Sequence, residues 1–377
     1  MERSRLLLLS DASNLDHSHF LHALVTSLDA SSSHDARGAQ CDNGRTDLQV
    51  PIVCEGTRLN GPLCRAVDTG LSLRTMVETI PHVSICICTF KRPDMLGRLL
   101  KALDQQQTKS LFAYSVTIVD NDVSQSAREV VLDFQNASSL CITYCVEPEQ
   151  NIALARNRAL ANTTGDFIAF IDDDELPVSN WLLELIQTCQ KHSADGVLGP
   201  VLARFEGSPP AWVKKGGFCE RRFSHPSGFR IDWTEGRTGN LLLKREILNG
   251  IEPVFRPEFG SGGEDRNFFR RMIQDGRQFI WCNEAVAYES VPPIRWKRSF
   301  MIRRALLRGK MSLHHRRGVG DLAKSLFAVV AYTITLPVLF LVGHHLFMKY
   351  LIKICDHVGK LLAFVGLDPI RERYVLE

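Results

Sequence analysis

The stretch that constrains this chain most is Gly165-Asp166-Phe167-Ile168-Ala169-Phe170-Ile171-Asp172-Asp173-Asp174-Glu175. Residues 167–171 run apolar without a polar break, the pattern of a strand buried on both faces of a parallel sheet. Four carboxylates follow where that strand must leave the sheet. Ligands of open α/β sheets bind outside the carboxyl ends of the strands. In extended backbone Asp172 and Asp174 project to one side and Asp173 to the other. Magnesium is commonly held by one or two carboxylates plus substrate phosphates, so the cluster reads as a seat for a metal–diphosphate. Taken alone, an acidic triplet is more often a solvated turn capping the next helix.

The surroundings give the triplet its weight. Val83–Cys88 reads as a first strand, followed by the loop Thr89–Pro93 and a helix capped by Asp94, with Leu96, Leu99, Leu100 and Leu103 at helical spacing. Ser115–Val119 reads as a strand ending in Asp120-Asn121-Asp122, then a helix through Ala127–Phe134 and a strand Cys141–Val146. Asn151 precedes a helix carrying Ala155, Arg156, Asn157 and Leu160. A helix Trp181–Gln190 and a strand Gly196–Leu202 follow the acidic run. Strands alternating with helices of this length imply βαβ units and a mostly parallel α/β sheet. Neither GxGxxG nor GxxxxGK[ST] occurs, so phosphate charge must be met by a metal and by Arg or Lys. This disfavours a dinucleotide dehydrogenase and a P-loop kinase.

Beyond residue 202 the alternation stops. Residues 207–239 are rich in Gly, Pro, Arg and aromatics (Trp212, Phe218, Phe223, Phe229, Trp233), suited either to stacking on sugar rings or to packing a small subdomain. Thr238–Leu243 reads as a buried strand. In Phe259-Gly260-Ser261-Gly262-Gly263-Glu264-Asp265 the glycines permit close backbone approach to a ligand. Glu264 and Asp265 open a helix whose apolar face is Phe268, Phe269 and Met272. Carboxylates there commonly compensate a helix dipole; here they would face the first acidic cluster.

With 45% apolar and 23% charged residues, the 377-residue chain has an ordinary globular composition. Its eleven cysteines show no CxxC pairing, which implies a reducing compartment and no structural zinc. The net charge of +3 hides an asymmetry. Nine Lys or Arg and no Asp or Glu lie between Ser290 and Gly320, which leaves the remainder at −6. Such a block seeks phosphates, and the apolar segment after it favours lipid over nucleic acid. Ser325–Gly343 is almost continuously apolar, near the length that spans a bilayer. Pro337, His344 and His345 keep a re-entrant or interfacial helix open, and a buried core helix is the plainer alternative. Arginines directly before the segment place the main domain in the cytosol. Leu6–Leu9 is too short for a secretory core, and residues 1–80 read as a poorly ordered extension.

These pieces together resemble the family 2 glycosyltransferases. They are Val83–Pro93, Val119–Asp122, Asn151–Arg158, Gly165–Glu175, Asn180-Trp181, Gly239–Leu243 and Gly262–Phe268, in the family's order over about residues 82–290. The combination of ARNR, LGPV, GNLL and SGGEDRNFF is similar to succinoglycan-type (ExoM-like) exopolysaccharide transferases. The resemblance implies a GT-A fold, with residues 81–202 as nucleotide-binding half, 203–290 as acceptor half and 291–377 as a membrane-associated helical region. It implies a UDP-sugar donor, Mg²⁺ or Mn²⁺, inversion at the anomeric carbon, and a lipid-diphosphate-linked glycan acceptor at the cytoplasmic face of a bacterial inner membrane.

Carried over by position, Thr89, Phe90, Arg92, Asn151 and Asp173 belong to the donor site, and Asp120 would meet uracil. Arg156 would lie near the donor. Asp172 would touch the ribose and, with Asp174, the metal. Asp265 would be the base, with Glu264 beside it. The QxxRW motif of processive relatives is reduced to Arg295-Trp296, which points to a single sugar addition. Tyr288-Glu289-Ser290 stands where many relatives carry a histidine, which leaves a third protein metal ligand open. A nucleotide-sugar nucleotidyltransferase and a non-catalytic membrane scaffold of this fold are the competing readings. The first normally carries a glycine-rich basic N-terminal signature, absent here; the second would not need Asp172, Asp174 and Asp265.

Overall fold

A computed structural model describes residues 80–220, 224–260, 262–313, 319–367 and 370. The extension assigned to residues 1–80 and the aromatic Phe223 therefore lie outside the described residues, apart from Ile80 itself.

In chain order the elements are β1 (His82–Thr89), α1 (Pro93–Asp104), β2 (Ala113–Asp120), α2 (Arg128–Ala137), β3 (Ile142–Val146), α3 (Ile152–Ala161), β4 (Phe167–Phe170) and β5 (Glu175–Pro177). Then come α4 (Trp181–Lys191), β6 (Gly196–Leu198), β7 (Val201–Phe205), α5 (Ala211–Gly216), β8 (Leu241–Lys244), α6 (Glu264–Gln274), β9 (Phe279–Trp281) and β10 (Ala287–Val291). The last three are helices α7 (Arg298–Ser312), α8 (Val319–Val342) and α9 (His344–Phe364).

Seven strands form one sheet in the order β3-β2-β1-β4-β8-β6-β9. All neighbours are parallel except β8, which runs antiparallel to both β4 and β6. The alternation of β1 explains why both faces are covered. Val83, Ile85 and Ile87 enter one core with α1 and α4, while Cys86 enters the other with α3 and α6. In α1 the four expected leucines are all fully buried, which contributes on the order of 6–12 kcal/mol before the entropy of ordering is set against it. Its start differs from expectation. Pro93 occupies the first turn, where its missing N–H leaves one orphan donor fewer, and the N-cap residue is Arg92, whose side chain makes no capping hydrogen bond.

The strand expected over Gly196–Leu202 divides at Gly199-Pro200, and its two parts join different sheets. β6 stays in the main sheet, and β7 pairs with β10, which also holds β5 antiparallel. A Cβ on Gly199 would overlap the Ala285 carbonyl. Asn240, at φ 57°, donates through Nδ2 to the Pro200 (2.9 Å) and Ala285 (2.8 Å) carbonyls and accepts from the Trp181 indole at 2.7 Å. One buried amide thus ties β8, the corner and α4. The small sheet holds β5 against the acidic turn.

Candidate active site

The acidic run does not stay extended. The chain turns at Asp172, where the Glu175 amide donates to the Asp172 carbonyl at 3.0 Å. The expectation that Asp172 and Asp174 share a side is thereby corrected. Asp172 opens towards solvent with its side chain 43% exposed, while Asp174 turns inward and is buried. Gly239 makes the turn possible, since a Cβ there would lie 2.8 Å from Asp172 Oδ2 and from Glu175 Oε1.

Each carboxylate has its own partners. Asp173 accepts from the Thr89 hydroxyl at 2.8 Å and from Arg92 Nη1 at 3.1 Å. Asp174 accepts from Arg92 Nη1 at 3.3 Å and from Arg295 Nη2 at 2.6 Å. Arg295 is itself buried and donates to Glu289 at 2.7 Å. Burial pushes the Asp173 carboxyl up to about 7, with Arg92 offsetting it and Asp174 adding to it.

A second chain of charges starts on α3. Asn151 caps that helix by accepting from the Ala153 (3.0 Å) and Leu154 (3.2 Å) amides. Its own amide donates to Asn121 Oδ1 at 2.9 Å, and its Nδ2 to the Pro257 carbonyl at 3.0 Å. One turn on, the buried Arg156 pairs with Glu264, lies 3.7 Å from Asp172 Oδ1, and covers the Phe255 ring at 5.7 Å. Burial opposes the charge on Arg156, but Glu264 and Asp172 carry the net shift upward. Glu264 is pushed up to about 7 by burial, which Arg156 only partly offsets and Asp265 reinforces. Its Oε2 is buried without a hydrogen-bond partner among the described residues.

Of the residues singled out in the sequence, Thr89, Arg92, Asp173 and Asp174 share hydrogen bonds, and Arg156, Asp172 and Glu264 form one ionic chain. Asp265 lines the same cleft as Asp172 and Arg156, a space of ≈ 910 Å³. Phe90 is half-buried, with Lys91 over its ring at 5.2 Å. Asp120 stands level with Thr89 across β1 and β2 but is fully buried. It accepts from the Asp122 amide (3.1 Å), the Ala127 amide (2.8 Å) and the Tyr144 hydroxyl (2.9 Å). Burial raises its carboxyl and those three donors oppose the shift. Asn121 likewise spends its side chain on the loop, donating to the Glu147 (2.8 Å) and Glu149 (2.6 Å) carbonyls.

The glycine-rich approach to α6 also serves the protein itself. A Cβ on Gly260 would overlap Asn151 Oδ1. The aromatics of residues 207–239 pack among themselves and their neighbours: Trp212 on Phe218 (5.4 Å), Phe229 on His225 (4.1 Å), Trp233 beneath Arg270 (5.6 Å). Arg295 and Glu289 were named in the sequence without a role. Their partnership with Asp174, 121 residues from Arg295, leaves no local signal.

Asp172, Asp173, Asp174, Glu175, Glu264, Asp265 and Glu289 lie among the guanidiniums of Arg92, Arg156 and Arg295, and Arg237, Arg266 and Arg304 line the same cleft. Burial raises Asp173 and Glu264, and the carboxylates beside them, Asp174 and Asp265, add to it; a divalent cation would relieve that second part, and carboxylate oxygens suit a hard metal. Among the described residues no three His, Cys, Asp or Glu side chains converge to hold one unaided. An ion here would take further oxygens from a diphosphate, as magnesium commonly does.

A wound α/β sheet with an acidic turn at the carboxyl end of a central strand is the GT-A architecture of glycosyltransferases. The mannosyltransferase PcManGT from Pyrobaculum calidifontis, solved with GDP-Man and Mn²⁺, shares the fold at a TM-score of 0.51 and 18% identity, over 75% of this chain and 88% of that one. Residues 84–248 match the profile of Glycosyl transferase family 2. Succinoglycan biosynthesis protein ExoM of Rhizobium meliloti is 34% identical over 234 residues, 62% of this chain and 74% of that protein. Over a shorter stretch the GalNAc(5)-diNAcBac-PP-undecaprenol beta-1,3-glucosyltransferase of Campylobacter jejuni is 28% identical, covering 34% of this chain and 41% of its own length. The chain belongs to glycosyl transferase family 2 and is ExoM-like in sequence.

Proposed function

We propose that this glycosyltransferase moves one hexose from a UDP-sugar to a lipid-diphosphate-linked oligosaccharide, with inversion, in bacterial exopolysaccharide or cell-surface glycan assembly. The carrying observation is that Asp172 and Asp265 line one cleft, with the buried Arg156–Glu264 pair between their elements. In this reading Asp265 is the base. It takes the proton of an acceptor hydroxyl as that oxygen bonds to the anomeric carbon and the carbon–oxygen bond to the diphosphate breaks. One displacement inverts the centre, UDP leaves, and the proton stays on Asp265. Thr89, Phe90, Arg92, Asp120, Asn151 and Asp173 form the donor side, with Arg156 holding Asp172 in place. A Mg²⁺ or Mn²⁺ ion held by the solvent-facing Asp172 with the diphosphate would neutralise charge on the leaving group; Asp174 would join it only by turning away from Arg92 and Arg295. Glu264 is a positioning residue, because Arg156 occupies it.

The C. jejuni relative's undecaprenol-linked acceptor supports a lipid-linked acceptor here. The basic flank before α8 supports a catalytic domain held at the anionic cytoplasmic face of the inner membrane. The test is UDP release from a panel of UDP-sugars in membranes supplied with an undecaprenyl-diphosphate glycan, with and without Mn²⁺. One donor should turn over with metal, and Asp265→Asn should lose about 10²–10⁴-fold in rate. Equal turnover in the variant would move the base elsewhere. No turnover of any donor would return the protein to the scaffold reading.

A further inference from the structure

Helix α8 is long and apolar enough to cross a bilayer over Gly320–Val342, and those residues are exposed or half-buried except for Ser325. Its neighbours decide how it meets lipid. α9 packs back along it as an antiparallel partner from end to end. Phe347 meets Phe340 at 5.5 Å beside the connecting Gly343, Tyr350 meets Tyr332 at 5.3 Å midway, and Lys360 pairs with Asp321 at the far end.

α9 is in turn fixed to the rest of the protein at both ends. His344 rests edge-on against Trp212 at 5.2 Å. Asp356 receives both nitrogens of Arg308 on α7, at 2.8 and 2.7 Å. Gly309 and Gly359 bring α7 and α9 into backbone contact, since a Cβ on either would overlap a carbonyl of the other helix. α8 therefore cannot stand upright in a bilayer unless α9 goes with it. That would take Lys349, Lys353 and Asp356 off the cleft they line and into hydrocarbon, at about 2.5–3.5 kcal/mol for each charge near the centre.

The outer face of α8 has the alternative built in. Phe327, Val330, Ile334, Val338 and Leu341 recur every three or four residues, forming one stripe, and all are exposed. Cationic side chains are exposed on α8 itself, at Lys324, and at the start of α7, which packs on the same α9: Lys297, Arg298 and Arg303. An apolar stripe beside Lys and Arg matches a helix lying in the plane of an anionic phospholipid surface.

We propose that α8 and α9 form a monotopic hairpin: α8 lies along the headgroup–acyl boundary of an anionic bilayer and does not cross it. The partner is the lipid surface itself, and this holds independently of which sugar the enzyme transfers. It also carries the cleft wall of Arg304 and Lys349 to the membrane, where a lipid-linked acceptor resides.

The test places tryptophan at three points of the stripe, Phe327→Trp, Ile334→Trp and Leu341→Trp, in the full-length protein. Each variant is bound to phosphatidylcholine–phosphatidylglycerol vesicles whose acyl chains are brominated at different depths, and quenching is read against the wild type. An in-plane helix puts all three at one shallow depth, roughly 5–10 Å below the headgroups, so one bromine position quenches all three best. A crossing helix separates neighbouring probes by about 10 Å at 1.5 Å per residue, so the three cannot share one shallow depth and at least one is quenched best by the deepest bromine. That outcome overturns the proposal, as does the absence of quenching by any lipid. UDP release from the same samples reports separately on the transferase reading.

Discussion

Glu264 offers the sharpest test of how the site holds its charge. The carboxyl is buried, one oxygen lies on Arg156 and the other has no hydrogen-bond partner among the described residues. Burial raises it to about 7, as it does Asp173. Both groups thus bind a proton in the folded protein at pH values where the unfolded chain has released it. Their stabilisation is fully present below the ordinary carboxylate range and is lost as pH rises towards 7. Between pH 5 and 6.5 folding takes up about two protons here, each worth roughly 1.4 kcal/mol per pH unit. The expected wild-type behaviour, without metal or donor, is a fall in unfolding free energy across that window.

Glu264→Gln removes one of the two protons and keeps an acceptor for Arg156, so the part of the slope due to this pair should halve. Glu264→Ala removes the acceptor too and leaves a buried guanidinium, at a cost of about 3–5 kcal/mol. Urea unfolding followed by the fluorescence of the buried Trp181 and Trp281 measures both. A Gln variant with the wild-type slope would mean that Glu264 stays ionised throughout, and the argument from its unpartnered oxygen would be wrong.

Two further outcomes rest on the geometry. Arg295→Ala leaves Asp174 with Arg92 alone and takes the 2.7 Å partner from Glu289; it should cost about 3–5 kcal/mol by the same unfolding assay and raise the KM for the donor. Gly260→Ala drives a methyl into Asn151 and loosens the cap of the helix that carries Arg156. A stability loss of about 1–3 kcal/mol, with UDP release falling in parallel, should be relieved in part by a second change, Asn151→Ser, which keeps a shorter capping oxygen.

The alternating strands and helices up to α4, the apolar face of α6 and the acidic run are legible in the sequence because they depend on periodicity, whereas β5, β9 and α5 are too short to show one. The four leucines of α1 and the unbroken run into β4 each carry their own local signal. What else escaped depends on distant partners. Nothing within residues 196–202 announces that the strand changes sheets at Gly199-Pro200, since the cause is Asn240 and the Ala285 carbonyl. The fates of Asp172 and Asp174 escaped for the same reason. Alternation assigns both to one side, but two arginines, one of them 121 residues away, hold Asp174 inside while Gly239 leaves room for Asp172 to turn out. The glycines before α6 were legible as close approaches. That the approaching group at Gly260 is Asn151 was not.

The change in the chain's character near residue 290, from mixed to basic and then apolar, is a change of composition and not an edge of the site. Arg295 stands four residues beyond β10 and three before α7, in a turn whose Trp296 rests against Phe205 at 5.7 Å. Its guanidinium nevertheless reaches both Asp174 and Glu289. A catalytic unit ending at Val291 would bury those two carboxylates with one cation fewer. The cleft makes the same point, since its walls come from α3, the acidic turn at Asp172, α6 and β10 and equally from α7 and α9. The basic, lipid-directed helices thus complete the charge balance of the acidic turn. A sequence of that composition can be placed so close to a carboxylate cluster because the cluster needs its arginine.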